Sequence, residues 1–225
     1  QIGGSIGSLF SHKIGSRFDL PERSQKVGVM CGMGAFFSAL FGTPLTATVF
    51  SIEVAEVGHM EHLGLLPTLL SSLIAYSISK LLGGEHIVLL VTSQLTSTPT
   101  VMLSTVVLAL LCAFVSILFC FVMHHARAAY NLVTTNSYLR VILGGIIVIA
   151  VTLFLDTSAF NGAGMNLVEE AVAGNSHWAT FLIKLLLTAV TLGAGFKGGE
   201  IVPSFAVGAS FGCVVAPLLG LDASL

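Results

Sequence analysis

The chain has 225 residues, of which 55% are hydrophobic and only 9% are charged, and its formal net charge is −2. Water-soluble domains carry about 25% charged residues, so this composition excludes that class and predicts an integral membrane protein that crosses the bilayer several times. The sparse charge also excludes a nucleic-acid-binding surface. All four cysteines lie in apolar stretches without a CxxC pair, which favours core residues over a disulfide or a metal site.

Apolar runs and turn residues predict four helical segments before residue 101. They cover residues 1–15, 27–41, 44–57 and 63–82. A transmembrane helix needs about 20 residues, so only the last segment is long enough to cross, and the first is predicted to be a half-helix. Gly42-Thr43-Pro44 is typical of one helix ending and the next beginning. Residues 83–100 are predicted to form an external loop.

The second half of the chain contains the clearest predicted span, residues 101–123, which ends at His124-His125-Ala126-Arg127. Further helices are predicted at 141–155, 178–191 and 203–219, with a short interfacial helix at 166–173 inside an external loop. Lysine and arginine are in excess in residues 13–26 and 124–140. By the positive-inside rule, both segments are predicted to be cytoplasmic loops.

A glycine-rich stretch, GAGFKGGEIVPSFAVGASFG at residues 193–212, leads into an apolar segment with Pro203 just inside its predicted helix start. Glycine permits close backbone approach, and proline is favoured in a first helical turn. The free N–H groups and dipole of a helix N-terminus attract anions. The predicted anion donors are the backbone amides of Gly199, Glu200, Ile201 and Val202. The alternative is an ordinary glycine-rich turn between two membrane helices.

Residues 1–7 and 206–212 share small residues at a constant offset. The matched pairs are Gly3/Gly208, Ser5/Ser210, Gly7/Gly212 and, further along, Gly15/Gly220. Small residues at this spacing let helices approach closely in lipid. The predicted topology sends the two copies in opposite directions. The pattern therefore predicts an inverted repeat. Many transporters consist of such repeats, and broken helices form their binding site near the midplane of the bilayer.

Several segments together resemble the CLC family of chloride channels and proton-coupled anion transporters. GEIVP at 199–203 is similar to the family's G-x-F-x-P signature, and GTPLTATVFSIE at 42–53 resembles its N-A-P-L-x-G-x-x-F-x-x-E helix. Residues 1–7 resemble the segment after the G-K/R-E-G-P motif, and Asn161-Gly-Ala-Gly164 stands where the family has G-G-G-F. The similarity runs over essentially the whole chain, in order.

The resemblance implies an all-α membrane protein, a CLC-type polytopic helical bundle with inverted repeats and broken half-helices. Residues 1–82 correspond to the end of the first repeat and residues 101–225 to the start of the second, so the chain is expected to be a fragment of the transmembrane domain. The family's gating glutamate would lie before Gln1, and its inner-pore tyrosine beyond Leu225. A homodimer in the lipid bilayer, with one pore in each subunit, is also implied.

Three departures from the family pattern bear on function. Ile201 replaces the signature phenylalanine, and Val54 stands where chloride/proton exchangers carry an internal glutamate. Glu200 places a carboxylate beside the anion site, where it would repel a halide unless it points away or is protonated. The Gly-Gly-Glu pattern and the missing internal glutamate resemble the fluoride-exporting branch. The channel branch of the family also carries valine at the position of Val54.

Four charged side chains are candidates for proton or vestibule electrostatics, each with an ordinary alternative. Glu200 carries protons or is simply stabilised by the helix dipole, and Lys197 attracts anions into a vestibule or is a solvated loop charge. Glu53, which shares a helix face with Glu56, relays protons or is merely solvated. Lys184, in an apolar helix, is expected to pair with a carbonyl or a carboxylate rather than contact the ion directly.

The predicted function is transmembrane transport of chloride or fluoride, with proton-coupled antiport ahead of passive voltage-gated conduction. A non-conducting membrane scaffold is the alternative from another class. No Ser/His/Asp, Cys/His or metal-ligand set occurs at usable spacing, so neither an enzyme, a catalytic residue, a metal nor a cofactor is predicted. The expected location is a bacterial-type plasma membrane.

Overall fold

The computed structural model describes residues 2–19, 21–55, 62–84 and 98–224. These residues are helical, with connecting turns and no strand in the described ranges. The chain divides into two compact units, Gln1–Val88 and Leu89–Leu225, and each is described by itself. The predicted all-α architecture is confirmed.

The described part of the first unit forms four α-helices and one short 3₁₀ helix. They are α1 (Ile2–Phe18), α2 (Glu22–Phe41), α3 (Pro44–Ala55), the 3₁₀ helix His62–Gly64 and α4 (Leu65–Leu81). Helix α2 is central, because α1, α3 and α4 all pack against it. It ends at Gly42, whose φ of 70° places it in the left-handed region, and α3 starts at Pro44. The predicted stop and start are confirmed.

Helices α1 and α2 cross at glycines. A Cβ added to Gly7 would lie 2.3 Å from the Gly28 carbonyl oxygen, and one added to Gly3 would lie 2.5 Å from that of Gly32. Neither position accepts a side chain without moving a backbone, which confirms the predicted close approach for the first copy of the repeat. In the second copy, a Cβ on Gly208 or Gly212 would meet no atom of the described chain within 4 Å.

Serine hydroxyls join α2 to α4. Ser38 donates to the Ser72 carbonyl at 2.8 Å, Ser71 to the Cys31 carbonyl at 3.1 Å and Ser79 to the Ala39 carbonyl at 3.1 Å. Lipid tails are as apolar as leucine, so close packing and interhelical hydrogen bonds must replace the hydrophobic effect between membrane helices. This seam accounts for Ser71 and Ser79 of α4.

The second unit is built around α8. Its helices are α5 (Pro99–Val133), α6 (Ser137–Leu155), α7 (Met165–Val172), α8 (Thr180–Ala194), α9 (Ile201–Val215) and a closing 3₁₀ helix, Ala216–Leu219. Helix α8 packs against α5, α6 and α9. The core between α5, α8 and α9 includes Phe119, Leu185 and Val207, all less than 9% exposed. Helix α7 covers another side of α9 through Leu167 and Val168.

Helix α5 is longer than the sequence predicts. It runs 35 residues to Val133 instead of ending at Met123, so Arg127 lies on a helix and not in a loop. Residues 124–133 contain neither glycine nor proline, and nothing in them breaks the backbone hydrogen-bond ladder. Thr134 is the C-cap of α5, and Asn136 then caps α6 by accepting a hydrogen bond from the Tyr138 amide at 3.0 Å.

The charged segment at residues 13–26 is also helical at both ends. Helix α1 continues to Phe18 and α2 begins at Glu22, so α2 has 20 residues, more than predicted. Lysine and arginine side chains extend towards water from helix ends, so charge alone does not mark a loop. Glu56 and most of the predicted external loop at 83–100 lie outside the described residues.

Among the residues that the structure describes, four helical segments are long and apolar enough to cross a membrane. They are His62–Leu81, Pro99–Val133, Ser137–Leu155 and Ile201–Leu219. Two shorter apolar helices, Pro44–Ala55 and Thr180–Ala194, fall below that length. Large apolar side chains face outward on the long helices, for example Leu132 and Phe154. A surface of this kind suits hydrocarbon, and the chain is an integral, multi-pass membrane protein.

Candidate anion site

The glycine-rich loop joins α8 to α9. Gly195, with a φ of 103°, ends α8, and its amide donates to the Leu192 carbonyl at 3.2 Å. Helix α9 begins at Ile201, two residues before the predicted start, so Pro203 occupies the third helical position instead of the first. A proline is still accommodated there, because the amides of a first turn have no partner within the helix.

The N-terminus of α9 is open. The Ser204 amide donates to the Glu200 carbonyl at 3.1 Å, and it is the first amide of this helix to do so in the described chain. Glu200 holds the N-cap position, yet its side chain accepts no capping hydrogen bond. The backbone amides of Ile201 and Val202 therefore stay available to an acceptor, and the dipole of α9 adds positive potential in front of them.

A cavity of about 400 Å³ lies between the glycine loop, α6, α8 and the 160–163 turn. Its lining includes Lys184, Lys197 and Asn161, together with Gly199 and Val202. No carboxylate occurs among the described residues that line it. The wall therefore carries two ammonium groups, and the volume is large enough for a halide with several water molecules.

Lys184 is buried in this wall, at 1% exposure. Its Nζ donates to the Phe160 carbonyl at 2.9 Å and to the Gly162 carbonyl at 2.7 Å, which confirms the predicted carbonyl partners. Gly164 has a φ of 87°, and a Cβ there would lie 2.7 Å from Lys184 Cε. Hydrogen bonds to two carbonyls offset part of the cost of burying the charge. Lys184 thus ties the 160–164 turn to α8.

Glu200 points towards Arg127. Arg127 Nη2 lies 3.1 Å from Glu200 Oε1, and neither residue is among those lining the cavity. The repulsion anticipated from the sequence is therefore reduced, because a guanidinium compensates the carboxylate. Arg127 was missed at the sequence level, since the pair spans 73 residues and forms only because α5 continues past Met123.

The other predicted site residues are placed as follows. Lys197, Gly199, Val202 and Pro203 line the cavity, whereas Ile201 begins α9 and is 40% exposed. Glu53 lies exposed near the end of α3, in the first unit. Asn161, which the sequence offered only as part of a motif match, brings an amide side chain to the cavity wall.

A family model described as "Voltage gated chloride channel" matches residues 1–224. The chain belongs to the voltage-gated chloride channel (CLC) family. The fold agrees: a solved CLC-type fluoride/proton antiporter superposes with a TM-score of 0.90 at 30% identity, covering 99% of this chain and 56% of that one.

Curated proteins are also similar to this chain. The chain is 32% identical over 233 residues to a chloride/fluoride channel protein of Pseudomonas syringae pv. tomato, covering 98% of this chain and 49% of the relative. It is 23% identical to an uncharacterised protein of Methanocaldococcus jannaschii, covering 97% of this chain and 58% of that protein. A shorter match, 33% identical over 37% of this chain and 18% of the relative, is to the H⁺/Cl⁻ exchange transporter ClcA of Vibrio campbellii. The CLC chain thus spans about half the length of the first two relatives.

Proposed function

We propose that the protein containing this chain transports halide anions across the membrane in exchange for protons, with fluoride preferred to chloride. The observation that carries the proposal is the uncapped N-terminus of α9, which opens beside a cavity lined by two lysines and, among its described residues, by no carboxylate. Similarity to a fluoride/proton antiporter, a chloride/fluoride channel protein and a proton/chloride exchanger supports the choice of ions.

The proposed site holds a partly dehydrated anion against the backbone amides of Gly199, Glu200, Ile201 and Val202. Amides and a helix dipole attract an anion without a fixed counter-charge, so the ion can leave as well as bind. Lys197, on the loop, raises the local anion concentration at the entrance. Glu200 and Glu53 are the proposed proton carriers. No enzymatic step is part of the proposal.

The quaternary structure and location are proposed by family resemblance. The protein is a homodimer with one pore in each subunit, in a bacterial-type plasma membrane. Subunit counting after chemical cross-linking in membranes tests the dimer.

The transport proposal is tested with the full-length gene product that contains these residues, purified and reconstituted into liposomes. Fluoride-selective and chloride-selective electrodes record efflux while a pH electrode follows protons. We expect fluoride to leave faster than chloride, with protons moving in the opposite direction. Equal chloride and fluoride fluxes without a pH change would replace antiport with a passive channel. Absence of both fluxes would contradict transport and favour the alternative of a non-conducting membrane scaffold.

A backbone-directed pair of variants tests the site itself. Val202→Pro removes one amide N–H from the open turn of α9, whereas Val202→Ala shortens the same side chain and keeps that N–H. A hydrogen bond to a charged group contributes about 1.5–3 kcal/mol, so V202P is expected to weaken anion binding by about tenfold or more. V202A should stay near wild type. Equal affinities for the two variants would contradict amide coordination.

A further inference from the structure

The ion pair between Arg127 and Glu200 joins the end of α5 to the start of α9. Nη2 and Oε1 are 3.1 Å apart, and the side chains are 61% and 51% exposed. Glu200 is the N-cap residue of α9, but its carboxylate is bound by an arginine from another helix rather than by the amides of its own. The carboxylate therefore lies away from the free amides of its own helix, although a negative charge is stabilised next to a helix N-terminus.

The alternative position of this carboxylate conflicts with anion binding. A Glu200 carboxylate that turned onto its own helix would occupy the same N–H groups that a bound anion needs, and the positive end of the helix dipole would stabilise it there. Glu200 is tethered one residue before those amides, so its local concentration is high. Without a competing partner, it would act as an internal competitor of the ion.

We propose that Arg127 is a positioning residue of the anion site. It holds the Glu200 carboxylate off the amides of Ile201 and Val202, so that these donors stay open, and it compensates the negative charge beside the site. The inference rests on the proposed function, because it assumes that an anion binds at the start of α9. Arg127 itself need not touch the ion.

The proposal predicts a rescue that a merely structural role would not produce. In R127Q, the freed carboxylate turns onto the amides of α9, and anion affinity falls between about two- and fivefold, the range that a helix dipole energy of about 0.3–1 kcal/mol gives. Adding E200Q to R127Q removes the competing charge while keeping the Glu200 backbone amide, so most of the affinity returns. R127K keeps a cation in place and should lose less affinity than R127Q.

The experiment is isothermal titration of the purified full-length protein in detergent with sodium fluoride and, separately, sodium chloride, so that binding is measured without transport. Thermal unfolding of each variant is recorded in parallel. R17Q, which removes an exposed arginine from the last turn of α1, is the matched control for loss of one positive charge.

The outcomes distinguish failure of the proposed function from failure of the positioning role of Arg127. If the wild type binds neither anion, the proposed function fails. If the wild type binds but R127Q binds equally well, the positioning role of Arg127 is overturned and the function stands. The role is also overturned if R127Q loses affinity and R127Q/E200Q does not recover it. Loss in R127Q with recovery in the double variant is the expected result.

Discussion

Lys184 and Gly162 are joined by a hydrogen bond of 2.7 Å from the ammonium nitrogen to the backbone carbonyl, and a second bond of 2.9 Å connects the same ammonium to Phe160. An ionisable group inside a membrane protein is expensive and needs such partners. The two bonds attach the turn after α6 to the second turn of α8. They therefore set one wall of the cavity in front of α9.

Replacing Lys184 with methionine should destabilise the protein. Methionine keeps a flexible apolar chain of similar length but leaves two carbonyls without their donor, at about 1–3 kcal/mol for each group that stays unsatisfied. We expect a lower midpoint of thermal unfolding in detergent for K184M and a smaller loss for K184R, which keeps the charge. Lys80, exposed on α4, provides the control K80M. An unchanged midpoint in K184M would show that the turn is held by other contacts.

Two adjacent glycines of α6 differ in the room around them. A Cβ on Gly144 would lie 2.4 Å from the Ala194 Cβ, whereas a Cβ on Gly145 would find its nearest neighbour, Phe196 Cζ, at 3.9 Å. Ala194 is the last residue of α8, directly before the glycine loop. The distance between α6 and α8 at Gly144 therefore affects the position of the glycine-rich loop.

Alanine at the two positions should have opposite effects. Alanine is favoured over glycine in a helix by about 0.8–1 kcal/mol at either site, so G145A should be neutral or slightly stabilising. G144A should be destabilising, because overpacking costs about 1–3 kcal/mol, and anion affinity should fall with it as the loop shifts. Unfolding midpoints and anion titrations of both variants provide the measurement. Equal midpoints would show that α6 and α8 separate freely.

The parts of this structure that the sequence predicts are those set by local chemistry. Gly42-Thr43-Pro44 breaks the chain where predicted, and the glycine loop leads into a helix N-terminus, because turn and cap preferences act over a few residues. The extension of α5 to Val133 has no local signal beyond the absence of a breaker. Hydropathy marks where a helix leaves the bilayer, not where it ends.

The tertiary contacts of the candidate site are less accessible from sequence. A buried lysine needs a partner, so a carbonyl or carboxylate could be predicted for Lys184, but not which turn supplies it. The pairing of Arg127 with Glu200 depends on how two helices pack 73 residues apart. Exposed charges form such pairs only where the fold brings them together. The periodicity of the sequence does not indicate which charges will meet.

The two copies of the predicted repeat should respond differently to the same substitution. Gly7 meets the Gly28 carbonyl at the α1–α2 crossing, whereas Gly208 has open space around its Cβ position in the described chain. G7A should force α1 from α2 and lower the unfolding midpoint, by about 1–3 kcal/mol of overpacking. G208A should be neutral or stabilising. Equal destabilisation by both would indicate that Gly208 also forms a close helix crossing.

Lys197 should affect how fast anions arrive more than how tightly they bind. It is exposed on the glycine loop and lines the cavity, so its charge acts on ions approaching the α9 N-terminus. Screening shortens the reach of an exposed charge from about 10 Å at 0.1 M ionic strength to about 3 Å at 1 M. A rate effect of electrostatic origin must therefore shrink as inert salt is added.

In K197Q, we expect initial fluoride efflux from liposomes to fall about two- to tenfold at low ionic strength and to approach the wild-type rate in 1 M potassium gluconate. K197R should keep the wild-type rate, and K80Q, which removes an exposed lysine from α4, serves as the control for total charge. A defect in K197Q of equal size at both ionic strengths cannot come from long-range attraction. It would mean that the ammonium contacts the ion directly, and the vestibule role would be wrong.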